Sequence, residues 1–308
     1  MNLKYIHDGR NLILEKIKDF DVAQTVECGQ FFHYEKISDG EYALVYRKNL
    51  LHIKEDKEKI IFYDTTEDEF KNIWTGFFDL NRDYSLIQNK IIKADIRLKD
   101  TIRKGKGIRI IDGDYFETLM SFIISQNKQI PHIRKIVFDI SKQYGEFLGN
   151  IEGMDFYSYP DVNALKDVEE EEYVELKTGF RAKYLRDAVL KVLKDEKLSE
   201  DSLKKAGYEN ALNKLMEIKG VGNKVANCVL LFSLGYTNAF PVDVWIKRIM
   251  TDMYFDGNEK VSNEEIYEYG RKLFGEYGGF AQQYLFLYIR EKGKDIRKNK
   301  KSRENKRK

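Results

Sequence analysis

Apolar and polar positions follow two rhythms along this chain. Over the first 64 residues four short runs are rich in aromatic and branched side chains: Phe31 to Lys36, Tyr42 to Lys48, Leu50 to Lys54 and Lys59 to Tyr63. Asp39-Gly40 between the first two is a hairpin turn signal, and the charged stretch Glu55 to Glu58 turns the chain before the last. The pattern predicts an antiparallel sheet, with one wet face because so many of its positions are Lys and Glu. Thr66-Glu67-Asp68-Glu69 is a capping box that opens a helix over Phe70 to Phe78, and another helix is expected from about Tyr84 to Arg97.

From Asp112 the rhythm is helical. Tyr115, Phe116, Leu119, Phe122 and Ile123 recur at helical spacing, which makes their helix a core element that ends near Ser125-Gln126-Asn127. Pro131 stands where it can start the next helix, Ile133 to Tyr144. Residues 145–172 read as a poorly periodic connection closed by a solvated acidic run. Further helices are expected at Arg181 to Lys194, Leu203 to Ala206, Asn210 to Ile218 and Gly279 to Glu291. The expected fold class is therefore α+β. An N-terminal antiparallel sheet with helices (1–106) precedes a mostly helical domain (107–290), the boundary lying near Gly105-Lys106-Gly107, and a basic tail follows (291–308).

Composition narrows the class. The chain has 308 residues, 42% hydrophobic and 13% aromatic, enough for two domains with real cores. No apolar run approaches the roughly 18 residues of a membrane span, and the start lacks the apolar core of a signal peptide. Two cysteines, Cys28 and Cys228, are too few for a disulfide scaffold, so a cytoplasmic location is expected, associated with the nucleoid if the source is prokaryotic. Net charge is only +2, but its distribution is uneven. Residues 290–308 hold eleven Lys or Arg against three acids, a net of +8, which leaves the other 289 residues with 42 basic and 48 acidic groups, a net of −6. Such a run is either a disordered, solvated tail or an arm that seeks phosphates.

The candidate chemistry lies between Leu215 and Met250. Gly220-Val221-Gly222 is a tight turn behind an apolar helix end, a second helix begins at about Asn223, and Asp243, fixed by Pro241, is placed to cap a third. The amides of Asn223, Lys224 and Val225 would be open donors at a helix N-terminus, ready for a phosphate. Lys224 in that first turn faces the positive end of the helix dipole, which frees its lone pair for attack.

Gly-Val-Gly-x-Lys followed by Pro-Val-Asp resembles the helix-hairpin-helix glycosylase superfamily of DNA repair. The likeness runs over Gly220, Val221, Gly222, Lys224, Val225, Ala226 and Cys228, then Pro241 to Val244. It implies that Lys224 is the Schiff-base nucleophile and that Asp243, nineteen residues on, is its catalytic partner. Two cysteines exclude the four-cysteine iron–sulfur cluster of many relatives. Four more stretches resemble the 8-oxoguanine DNA glycosylases, so the likeness covers most of residues 20 to 290. Cys28-Gly29-Gln30-Phe31-Phe32 implies a Gly29 carbonyl that accepts the N7 proton of oxidised guanine. Asn127 would fill the gap left by the flipped nucleotide. Phe180 would wedge the duplex and Arg181 would contact the base left behind. Gln282 would bond the lesion's Watson–Crick edge and Phe286 stack on it, with Cys228 on the opposite face. Each residue alone has a plainer reading: a strand-entry glycine, a helix end, a buried Phe beside a surface Arg, a small core thiol. Their order along the chain favours the resemblance. Three positions depart from the animal members. Trp245 stands where a His contacts phosphate, His132 stands where an Arg reads the orphaned cytosine, and the wedge aromatic is Phe180, with no hydroxyl.

The function implied is excision of 8-oxoguanine from duplex DNA by base flipping, followed by β-elimination at the abasic site. The protein would act as a monomer on double-stranded DNA containing oxidised guanine, with no membrane, no protein-bound metal and no cofactor, apart from a monovalent cation that carbonyls of 219–221 could hold. One rival is a helix-hairpin-helix glycosylase for another base such as an alkylated purine, which needs the aspartate but not Lys224. The other is a non-catalytic helix-hairpin-helix DNA-binding protein, which has no use for Lys224 and Asp243 at this distance.

Overall fold

The computed structural model describes residues 3–289. The basic tail at 291–308 lies outside them. The described residues form two compact units that interleave in sequence: residues 3–83 with 107–236, and residues 84–106 with 237–289.

The first unit opens with six antiparallel strands, β1 (Tyr5–Asp8), β2 (Asn11–Glu15), β3 (Tyr34–Ser38), β4 (Glu41–Tyr46), β5 (Asn49–Glu55) and β6 (Lys59–Tyr63), in the order β1-β2-β6-β5-β4-β3. Four are the strands expected. The hairpin β1–β2 is additional, turning at Gly9-Arg10 with Gly9 at φ 63°. On one face Leu12, Leu14, Leu44, Ile53 and Phe62 pack with Phe70, Trp74, Phe77 and Phe78 of the helical run that the Thr66–Glu69 capping box starts. Burying each such side chain is worth about 1.5–3 kcal/mol. The other face is not simply wet. Ala43 and Val45 of β4 are fully buried with Phe156, and Phe138, Met154 and Ile151 close over them. The covering comes from the helix Ile130–Tyr144 and from a hairpin, β7 (Phe147–Ile151) and β8 (Met154–Tyr157), inside the stretch expected to be an irregular connection. Its turn residues Glu152 and Gly153 take φ 51° and 80°, and Asn150 Oδ1 accepts from the Gly153 amide at 3.0 Å.

Helix Tyr115–Ile124 is buried all round, capped by Asp114, whose carboxylate accepts from the Glu117 amide. It packs on helix Asn223–Ser233, with Phe122 and Phe232 stacked at 5.6 Å and the Gly113 amide donating to the Phe232 carbonyl. Helices Ala182–Lys194 and Tyr208–Met216 complete this unit around them.

The second unit holds helices Tyr84–Ala94, Lys99–Lys104, Val244–Tyr254 and Asn263–Phe274 and a last helix at 278–289. Tyr84 meets Phe280 edge-on at 5.4 Å, and Gln88 Nε2 donates to Tyr284 Oη and to the Lys106 carbonyl. The end of helix Val244–Tyr254 is tied down by a polar knot around the buried Asp95. Arg97 forks onto Asp95, lies 4.4 Å over the Tyr254 ring and donates to the Met253 carbonyl, while Tyr254 Oη donates to Asp95. Among the described residues no helix is long and apolar enough to cross a membrane.

Candidate active site

The hairpin folds as its sequence dictates, but its two glycines answer to different constraints. Gly220 takes φ 79°, and a Cβ there would run into the Tyr184 ring. Gly222 lies in ordinary extended backbone (φ −98°, ψ −176°), with nothing within 4 Å of a Cβ. Of the two turn glycines, folding therefore requires only Gly220 to be one. At 222 the missing side chain keeps open the approach to the first turn of helix Asn223–Ser233, which no side chain caps. That turn is braced from within, as Asn227 is fully buried, donates to the Asn223 carbonyl and accepts from Tyr208 Oη at 2.6 Å.

Lys224 is half-buried. Its Nζ sits 4.9 Å over the Phe122 ring and 3.4 Å from Ser125 Oγ, and no carboxylate of its own unit pairs with it. An apolar floor and one hydroxyl leave the amine available to a reacting carbon. Cys228, one turn further along the helix, is buried and free of any disulfide.

The same ring connects Lys224 to the Cys28–Phe32 turn. Phe32 meets Phe122 edge-on at 5.5 Å, and Gln30, Phe31 and Phe32 line a small cleft with Phe122 and Ser121. Gly29 takes φ 91°, a conformation that favours glycine. Gln30 holds this turn: its buried amide donates to the carbonyls of Thr25 (2.9 Å) and Arg109 (2.6 Å) and accepts from the Ile111 amide (3.1 Å). Below it, burial pushes the Glu117 carboxyl up in pKa, partly offset by His33, whose Nδ1 lies 3.2 Å away.

Four more site candidates lie in this unit. Asn127 is exposed at φ 52°, a left-handed position that asparagine tolerates. His132 is exposed in the first turn of helix Ile130–Tyr144. Phe180 is 53% exposed while Arg181 beside it is 4% exposed, the reverse of a buried Phe and a surface Arg. The Arg181 guanidinium lies 4.3 Å over the Phe180 ring and donates to the carbonyls of Thr178 and Gln126, and burial lowers its pKa. Gln126, unremarked in the sequence, also reaches the hairpin, its Nε2 donating to the Gly220 carbonyl at 3.0 Å.

The second unit carries the remaining candidates. Asp243 caps helix Val244–Tyr254, with Oδ1 accepting from the amides of Trp245 (3.0 Å) and Ile246 (2.7 Å). Val244 and Trp245 are exposed, unusually for apolar residues, at the open start of that helix. Gln282 is buried with its Oε1 accepting from Gln283, and Phe286 is half-buried one turn on along the same face. Among the described residues no cluster of three His, Cys, Asp or Glu could hold a metal.

Residues 12–119 match the 8-oxoguanine DNA glycosylase N-terminal domain, and residues 120–275 the HhH-GPD superfamily of base excision DNA repair proteins. A solved 8-oxoguanine glycosylase/lyase of Clostridium acetobutylicum, in complex with double-stranded DNA holding cytosine opposite 8-oxoguanine, is 36% identical with a TM-score of 0.89, over 95% of this chain and 99% of that one. The chain belongs to the 8-oxoguanine DNA glycosylase family. A second solved member bound to a low-affinity DNA ligand is 38% identical with a TM-score of 0.89, over 95% of this glycosylase and 100% of that chain. An N-glycosylase/DNA lyase of Arabidopsis thaliana is 29% identical over 277 residues, 85% of this glycosylase and 75% of the plant protein. What the sequence did not disclose in this glycosylase is the support around the named residues: Gln30 under Gly29, Gln126 and Tyr184 against Gly220, Ser125 beside Lys224. Gln and Ser at helix ends carry no sequence signal of their own, because their partners are main-chain carbonyls and distant rings.

Proposed function

We propose that this DNA glycosylase/lyase flips 8-oxoguanine from the duplex and removes it with Lys224 as nucleophile and Asp243 as its electrostatic partner. The observation that carries this is the Lys224 amine, held over Phe122 at the uncapped start of a helix and unpaired with any carboxylate of its unit. C1′ cannot be reached while the base is stacked, so the nucleotide must leave the helix. As the C1′–N9 bond breaks, the Asp243 carboxylate stabilises the positive charge developing on the sugar. The neutral amine bonds to C1′, the C1′–O4′ bond opens to a Schiff base, and loss of a C2′ proton expels the 3′ phosphate. The Gly29 carbonyl distinguishes the lesion by its N7 proton, Gln282 and Phe286 hold the extruded base with Cys228 on its other face, and Asn127 and Phe180 occupy the duplex. The first-turn amides behind Gly222 take a phosphate.

This chemistry calls on no cofactor and on one copy of the chain, since every named residue belongs to it. The two cysteines, both buried and neither in a disulfide, suit a reducing cytoplasm. A monovalent cation at 219–221 would have to share the Gly220 carbonyl with Gln126. The test is borohydride trapping on an 8-oxoguanine duplex. Wild type should become cross-linked, and Lys224→Gln should bind without cross-linking; trapping that survives the substitution moves the nucleophile elsewhere.

A further inference from the structure

We propose that Arg181 is a positioning residue that fastens the Asn127 tip to the Phe180 tip, so that both enter the duplex as one rigid body. This rests on the reading of Asn127 and Phe180 as the groups that occupy the duplex.

The two tips belong to separate loops. Asn127 follows helix Tyr115–Ile124, and Phe180 follows a short turn in which Lys177 and Gly179 both take positive φ (61° and 63°). Between those two, Thr178 is fully buried and anchored, its hydroxyl donating to the Tyr173 carbonyl at 2.7 Å. Arg181 spans the loops. One terminal nitrogen donates to the Thr178 carbonyl at 3.0 Å and the other to the carbonyl of Gln126, the residue before Asn127. A second strut runs parallel to it, with Lys128 Nζ donating to the Lys177 carbonyl at 2.9 Å. Gln126 extends the frame to the hairpin through the Gly220 carbonyl.

The guanidinium suits this task. Its donors are set in a fixed planar fork that can meet two carbonyls at once, one from each terminal nitrogen. At 4% exposure it presents little surface to an orphaned base, whereas Phe180, on whose ring it lies, is open. Its charge is met by main-chain oxygens rather than a carboxylate, which leaves a positive field beneath both tips where a phosphate backbone would approach. Two tips locked before binding need not be ordered during it.

The test is a double-mutant cycle on the full chain, reading affinity for an abasic-site duplex. Asn127→Ala and Phe180→Ala should each weaken binding on the order of tenfold. Together they should weaken it well short of the roughly hundredfold product, because tips that act as one body are lost as one. In an Arg181→Met background the two losses should multiply. Arg181→Lys keeps a donor and should retain part of the coupling, with melting temperature recorded for every variant. Losses that already multiply with Arg181 present overturn the linkage alone. Single substitutions that leave binding unchanged overturn the insertion reading and the linkage with it. Excision rates with cytosine, thymine, guanine and adenine opposite the lesion supply a readout that loss of folded protein cannot mimic. Arg181→Met should slow all four by the same factor, and slowing confined to cytosine would show that Arg181 reads the orphaned base instead.

Discussion

Asp243→Asn separates the two tasks assigned to one carboxylate. Oδ1 is engaged by the amides of Trp245 and Ile246, while Oδ2 makes no hydrogen bond among the described residues and is the oxygen left for the sugar. Asparagine supplies the same capping oxygen, and the two residues rank alike at this position. Only the charge is lost, worth about 0.3–1 kcal/mol against the helix N-terminus. With an unfolding entropy of about 2.1 cal/mol/K per residue, a chain of 308 residues loses about 1 °C of melting temperature for such a change. Asp243→Ala removes the cap as well, at about 1 kcal/mol, and should cost about 2 °C. The chemical effect is of another order. Taking away a charge aimed at the transition state lowers the rate on the order of 10²–10³-fold. Single-turnover excision from an 8-oxoguanine duplex, set beside calorimetric melting, measures both. If Asn lowers melting by many degrees while activity per folded molecule holds, the carboxylate is a cap and nothing more.

Two further substitutions probe recognition. Gly29→Ala must place a side chain at φ 91°, a strain of about 1–2 kcal/mol, and beside the flipped base. It should abolish 8-oxoguanine excision while abasic-site DNA is still bound at low temperature, and undiminished excision would remove Gly29 from the pocket. His132 is exposed where the resemblance places the reader of the orphaned base, and its single ring lacks the fork that meets cytosine at two points. His132→Arg should sharpen preference for cytosine by roughly ten- to a hundredfold, the equivalent of about 1–3 kcal/mol; unchanged rate ratios with all four partner bases refute this.

The sequence made local features legible and left non-local ones dark. The hairpin could be read because its turn, its uncapped helix start and its capping aspartate are each set by neighbours within a few residues. The Asp39-Gly40 hairpin was visible on the same grounds. Asp8-Gly9 and Glu152-Gly153 are signals of the same kind, but the strands around them lack a clear alternation, so β1–β2 and β7–β8 went unread. That Ala43 and Val45 lie under Phe138 and Phe156 depends on residues about a hundred positions away, so the covered second face of the sheet could not be inferred. That Arg181 is buried could not be read, because sequence announces a buried arginine only through a carboxylate partner. Here the partners are carbonyls, which every residue has.

The interleaving of the two units bears on how the chain is made. Residues 84–106 leave the ribosome ahead of the 130 residues, 107–236, that complete the first unit. At about 5–20 residues per second, this segment waits on the order of ten seconds before the rest of its own unit begins to emerge. During that interval Tyr84, Ile87, Ile91, Leu98 and Ile102, all buried in the finished protein, have no finished unit to bury them. The first unit can close once residue 236 is clear, whereas the unit that carries Asp243 cannot close until residues 237–289 have followed. A chain cut short after residue 236 would therefore hold Lys224 in a completed unit and lack the aspartate altogether.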